Sequence, residues 1–393
     1  MDKKKTIFFI TSRFPYPLEK GDKLRAYYQI KSFSKKYNII LCSITDVTIK
    51  DEWRNELKKY CSKVYVFKLN KILIGFNLIK AAFNSKKPFQ VAYFYQKKIN
   101  TSIQKLIKNT QPDAIYCQLI RTAEYAKNIH HIPKTLDYMD ALSEGMFKRE
   151  KISKGFYKWL YQTEGERLKK YENIIFDYFN HHTIISKQDR DKIVHPNNQS
   201  IVIVPNGVDN YFLNYDCNSI KKEFDIVFVG NLSYAPNIES CIFIIKELYP
   251  YFEKNNIKLN VLLSGVNPSS KILNLLKNNQ NIKVSGWVKD IRQSYCKGKI
   301  FVAPLFIGTG LQNKLLEAMA LGIPCITTSL VNNALNAQAD QNILIANSVK
   351  EFYDKINHLL NQQNIYNQLS ISAKQFVVNN YNWDVFSDKI PIL

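Results

Sequence analysis

Apolar positions along this chain fall into short continuous runs, separated by stretches in which they recur at helical spacing. Residues 7–11 (IFFIT) form the first run. A run that is apolar on both faces reads as a buried parallel strand, covered by helices on either side. A turn-rich loop follows, Ser12-Arg13-Phe14-Pro15-Tyr16-Pro17, with Gly21 beyond it. From about 23 to 36, Leu24, Tyr27, Tyr28, Ile30 and Phe33 mark a helical face. Residues 38–43 are the next apolar run. This strand–loop–helix–strand opening predicts a doubly wound sheet. Further β-rich runs at 63–69, 114–118, 134–138, 182–185 and 200–204 alternate with helical stretches at 99–108 and 157–174.

The pattern restarts at 225. DIVFVG at 225–230 is an apolar strand ending in Gly230. A helical stretch at 239–248 follows, then strands at 258–264 (closed by Gly265), 281–285, 299–303 and 323–327. Pro205-Asn206-Gly207 and the polar stretch 214–223 punctuate the two halves. The expectation is an α/β protein of two Rossmann-like doubly wound domains, 1–205 and 206–372, with a terminal segment 373–393.

Length agrees. At 393 residues the chain exceeds one ordinary core and suits two domains. With 46% hydrophobic and 22% charged residues it is a packed globular chain, not a disordered one. The net charge of +22 is unevenly placed: residues 1–200 hold 38 Lys and Arg against 19 Asp and Glu, the rest 17 against 14. A uniform compositional bias would not load one half. The first half is therefore expected to face something anionic, such as phospholipid or a lipid-linked phosphate. Charge alone does not point to nucleic acid, since no recognition module accompanies it.

Seven scattered cysteines without a CxxC pair indicate neither a disulfide framework nor a zinc site. The adjacent pairs His130-His131 and His181-His182 lack metal-ligand spacing, so no metal is expected. A reducing cytosol fits best. The opening apolar run is six residues long and meets Arg13 at once, so no signal peptide is expected. No run of 18 apolar residues suggests a membrane span.

Four segments carry candidate chemistry. In APLFIGTGLQNKLLEAMALGIP (303–324), Gly308 and Gly310 form a turn and a helix starts near Leu311. A helix N-terminus offers free N–H groups and a positive dipole end to a phosphate. Lys314 adds a cation in the first turn, where it opposes the dipole and so needs another reason. Glu317, one turn beyond Asn313, can accept hydrogen bonds from sugar hydroxyls. The second segment, SRFPYPLEKGDKLR (12–25), gathers Arg13, Lys20, Lys23 and Arg25 around Gly21, an anion pocket or a solvated basic loop. The third, Asp137-Tyr138-Met139-Asp140, ends a strand, where doubly wound sheets hold ligands; it suits sugar contacts, proton transfer or a simple helix cap. The fourth, 71–98, interleaves a nearly continuous apolar stretch with lysines, as in a contact lying on an anionic bilayer or an ordinary core helix with basic edges.

These pieces together resemble the GT-B glycosyltransferases of the family 4 (group 1) type, and most of all the sugar transferases of exopolysaccharide loci. The matching segments occur in order: RFPYPLEKGDKLR, IISKQDR (184–190), VPNGVD (204–209), VFVGNLSYAPN (227–237), VSGWVKD (284–290), the 303–324 segment and YNWD (381–384). The resemblance implies two domains facing a central cleft, and a C-terminal helix crossing back to the first. It implies a nucleotide-sugar donor on the second domain, a glycan or lipid-linked acceptor on the first, retention of configuration, and no metal or other cofactor. By position, Gly310 and Lys314 meet the donor diphosphate with Asn313 beside them, and Gly308 and Thr309 are also among the donor contacts. Glu317 holds the ribose, and Trp287 and Val288 flank the base. Gly230 and Gly265 line the donor side, and Gly21 lets the first domain approach the phosphates. Lys314, Glu317 and Asp140 are the expected catalytic residues, and Arg13, Lys23, Arg25 and Asp137 the expected acceptor or phosphate contacts. The chain departs from the family at Thr309, where a donor-sugar Glu is usual, and at 138–140, where a His is usual. It also lacks Arg or Lys across 231–237. A nucleotide-sugar 2-epimerase on the same fold and a non-enzymatic basic membrane-binding protein remain open. The expected location is the cytoplasm, at the inner face of the membrane.

Overall fold

The computed structural model describes residues 4–84, 86–277, 279–307 and 311–392. The chain divides into two units, Met1–Pro205 with Trp383–Leu393, and Asn206–Asn382.

The first unit holds a seven-stranded sheet. Its strands are β1 (Thr6–Thr11), β2 (Asn38–Thr45), β3 (Lys63–Lys68), β4 (Ala114–Gln118), β5 (Lys134–Met139), β6 (His181–Ile184) and β7 (Val202–Ile203). They lie in the order β3-β2-β1-β4-β5-β6-β7, every pairing parallel. The second unit repeats the plan with β8 (Phe224–Val229), β9 (Val261–Ser264), β10 (Ile282–Val284), β11 (Gly298–Ala303), β12 (Cys325–Thr327) and β13 (Leu344–Ile345), in the order β10-β9-β8-β11-β12-β13. Both are the doubly wound order of Rossmann-like domains. The apolar runs become fully covered strands for the reason expected: Phe8, Phe9 and Ile10 in β1 and Ile226, Val227 and Phe228 in β8 are buried on both faces.

The end of the chain crosses over at a defined place. The helix Gln363–Asn380 belongs to the second unit, where Val208 N donates to Tyr381 O at 2.8 Å. From Trp383 the chain joins the first unit, as the helix Trp383–Asp388. There the Trp383 ring stacks on Tyr28 at 5.4 Å, and Thr135 Oγ1 donates to Pro391 O at 2.5 Å. Residues 373–382, expected in the terminal segment, therefore pack with the second unit.

Cys217 and Cys296 form a disulfide, which corrects the expectation of none. They lie 79 residues apart, so no sequence spacing announces them. Close to the bridge, Arg292 donates to Tyr211 O at 2.8 Å and lies against the Tyr215 ring at 4.1 Å. No helix among the described residues is long and apolar enough to cross a membrane.

Candidate functional site

In a doubly wound sheet the crevice opens where the strand order reverses, at the carboxyl ends of the two central strands. In the second unit those strands are β8 and β11. The helix Asn313–Ala320 begins after β11 and places Lys314 in its first turn. Lys314 Nζ donates to Asn237 Oδ1 and lies 5.2 Å from the centre of the Phe228 ring. Asn237 sits in the helix Ala235–Phe243 that follows β8. Its Nδ2 donates to Asn231 O at 2.8 Å, which leaves its oxygen for the lysine. Lys314 thereby crosses the switch point between the two halves of the sheet.

The glycines around this pair have little room. A Cβ on Gly230 would come within 2.7 Å of Asn237 Nδ2, and one on Gly265 within 1.7 Å of Gly230 O. The ends of β8 and β9 close on each other because neither position carries a side chain.

Glu317 lies one helical turn from Lys314. The buried Tyr295 donates its hydroxyl to Glu317 Oε2 at 2.7 Å. Asn313 Oδ1 accepts from Asn206 Nδ2 at 3.3 Å. Ser264 bonds Ser285 at 2.8 Å and Ser294 at 2.7 Å, fixing the loop that carries Gly286 and Trp287. Gly286 has φ of +67°, and Trp287 is 69% exposed, with Val288 half-buried beside it. Gly308, Thr309 and Gly310 lie outside the described residues.

The electrostatics follow from desolvation. Burial pushes Lys314 down to about 8, outweighing the raising influence of Cys241 and Glu317. Burial pushes Glu317 up to about 7, against the lowering influence of Tyr295 and Lys314. A desolvated cation and a carboxylate poised near neutrality on one helix face suit an incoming anion and a set of hydroxyls.

In the first unit, the structure corrects two expectations. Arg25 and Asp137 are not available to an acceptor. Their side chains are fully buried against each other, with Arg25 Nε donating to Oδ2 at 2.7 Å and Nη2 to Oδ1 at 2.9 Å. Thr183 Oγ1 also donates to Asp137, and Arg25 Nη1 donates to Val204 O at 2.8 Å. These two residues anchor the helix Gly21–Phe33 to β5. Arg13 remains partly accessible but is paired with Asp22 at 2.5 Å. Lys23 is half-buried and lowered by desolvation, 6.0 Å from the Trp53 ring. Gly21 begins its helix beside Met139, whose Cε would lie 3.4 Å from a Cβ there. Asp140 follows Met139 at the end of β5. Burial, and then the charge of Asp189, push it up to about 7.

Some candidates are invisible to the sequence. Asn237 lies in a stretch of the sequence marked only by its lack of Arg and Lys, yet it is the direct partner of Lys314. Tyr295, which holds Glu317, carried no signal. Arg121 also belongs with the first unit's group: it bonds Gln90 at 2.5 Å and is pushed down to about 10, by burial first and Arg13 second.

Two doubly wound parallel-sheet units in one chain, with the last helix returning to the first, form the GT-B glycosyltransferase architecture. Within the second unit, residues 223–362 match the model for glycosyl transferases group 1. A Klebsiella pneumoniae protein, described as an uncharacterized 44.6 kDa protein in a cps region, is 24% identical over 96% of both chains. Among solved structures, a glycosyltransferase from Rickettsia africae superposes with a TM-score of 0.66 at 14% identity, covering 98% of this chain and 96% of that one. Anabaena Alr3699/HepE in complex with UDP and glucose gives 0.66 at 12% identity, covering 98% of each. TarM gives 0.69 at 12%, covering 99% and 98%.

Proposed function

We propose that this enzyme transfers a hexose from a UDP-sugar to a glycan or lipid-linked acceptor, with retention, during assembly of a cell-surface polysaccharide at the inner face of the cytoplasmic membrane. The Lys314–Asn237 contact at the switch point of the second unit carries this reading. The leaving nucleoside diphosphate gains negative charge as the glycosidic bond breaks. Lys314 and the first N–H groups of its helix supply positive potential where that charge develops. This potential stands in for a metal, so transfer is proposed to be metal-independent. Glu317, held by Tyr295, is assigned to the ribose hydroxyls. Trp287, exposed on its loop, is assigned to the base. In the first unit Asp140, near neutrality, is assigned to the sugar or the acceptor hydroxyl, with Arg13, Lys23 and Arg121 as the remaining cationic groups.

The UDP complexes of Alr3699/HepE make UDP-sugars the first donors to test, and the cps-region relative supports a surface polysaccharide as destination. The epimerase alternative needs several acid–base carboxylates around the sugar, and 301–350 contain only Glu317 and Asp340.

UDP release should depend on an added lipid or glycan acceptor, persist in EDTA, and fall by about a hundredfold or more in Lys314→Ala. Product NMR should show the donor's anomeric configuration. Acceptor-independent formation of a free C2 epimer would overturn the reading in favour of the alternative.

A further inference from the structure

The helix Lys71–Asn84 is apolar on two sides. Ile74 and Ala81 are buried and Leu78 packs against the core of the first unit. On the other side Ile72 is 70% exposed, Phe76 66%, Ile79 59% and Phe83 89%. Their intervals of four, three and four put them on one stripe. A monomeric protein exposes single apolar residues freely, but a stripe of four along one helix marks a covered surface.

What covers it is indicated by the charge beside it. A cavity of about 390 Å³ opens next to the helix, lined by Asn77, Lys80, Lys87, Tyr95 and Lys97 among others. Lys87 is committed to Glu124 at 2.6 Å. Neither Lys80 nor Lys97 has an ion-pair partner among the described residues, and both are exposed. Cations beside an apolar stripe match the two layers of an anionic bilayer: acyl chains for the stripe, headgroup phosphates for the lysines. A second copy of this strongly basic chain would also accept the stripe, but its excess of Lys and Arg would not favour the lysines beside it.

We infer that the Lys71–Asn84 helix lies on an anionic phospholipid bilayer, with Phe76 and Phe83 in the interface and a headgroup phosphate in the pocket of Lys80 and Lys97. This deepens the membrane-face part of the proposed function and is independent of the sugar chemistry. A second apolar group in the same unit, Ile152, Phe156, Tyr157 and Trp159, is exposed where the helix Gly155–Phe176 begins. It gives the experiment an internal comparison.

The test is co-sedimentation of the full chain with phosphatidylglycerol vesicles and with phosphatidylcholine vesicles. Wild type should bind the former, and binding should fall with salt. Phe76→Ser with Phe83→Ser should weaken binding about tenfold or more. Lys80→Gln with Lys97→Gln should weaken it about fivefold per lysine and lessen the salt dependence. Each variant should keep the wild-type melting shift with UDP-sugar, showing that it is folded. Variants that sediment like wild type would overturn the assignment of this helix while leaving the membrane reading intact, as would loss confined to Trp159→Ser. Failure of wild type to bind either vesicle would sink both. A dimer in sedimentation velocity that the two Phe substitutions dissolve would assign the stripe to a second copy of the chain instead.

Discussion

Lys314 is a cation kept where water has been removed, and its proton is held weakly as a result. Bringing a diphosphate to it would restore the missing counter-charge and strengthen protonation. The sign of the pH dependence follows. Below about 8 the free enzyme already carries the proton, so affinity for UDP is insensitive to this group. Above it the lysine deprotonates first in the free enzyme, and affinity should fall toward tenfold per pH unit. Lys314→Arg should bind with a flat profile over the same range, because a guanidinium keeps its charge. Calorimetric titration of UDP across that range checks both. The sequence placed Lys314 and Glu317 correctly on one helix, because their spacing is local. Asn237 and Tyr295 were not legible, because they reach that helix only through tertiary packing.

At the scale of elements, short apolar runs announced the parallel strands because burial on both faces leaves no room for alternation. The same logic could not settle the helix Lys71–Asn84. Its composition fits a core helix or a bilayer contact, and only exposure separates its two sides. Arg25 and Asp137 show the opposite failure. Charged residues at a strand end and on the next helix read as ligand groups, yet they meet each other. Their fully buried pair ties the first helix to β5, so removing one partner leaves a buried charge. Asp137→Asn should cost about 3–5 kcal/mol, read as a lowered urea midpoint. The double change Arg25→Met with Asp137→Leu should recover part of that loss, since two apolar side chains need no counter-charge while Thr183 and Val204 O lose their partners. An equal loss in the single and double variants would show that shape, not charge, matters there.

For the whole molecule, the order of short motifs carries more than any one of them, and the charge is unevenly shared between the units. The excess of Lys and Arg lies in residues 1–200, which form nearly all of the first unit. The second unit is close to neutral and concentrates its chemistry on one helix. Whether that helix holds a nucleotide sugar is therefore the central question. The most direct measurement is the melting temperature of wild type and Lys314→Ala, each titrated with UDP-hexoses and with GDP-hexoses. A ligand at a hundred times its dissociation constant stabilises the folded state by about 2.7 kcal/mol. Wild type should show a saturable rise with a UDP-hexose, lost in Lys314→Ala, whose ligand-free melting temperature stays at or above that of wild type. An equal rise in both proteins, or none in wild type with any nucleotide sugar, would contradict nucleotide-sugar binding by that helix.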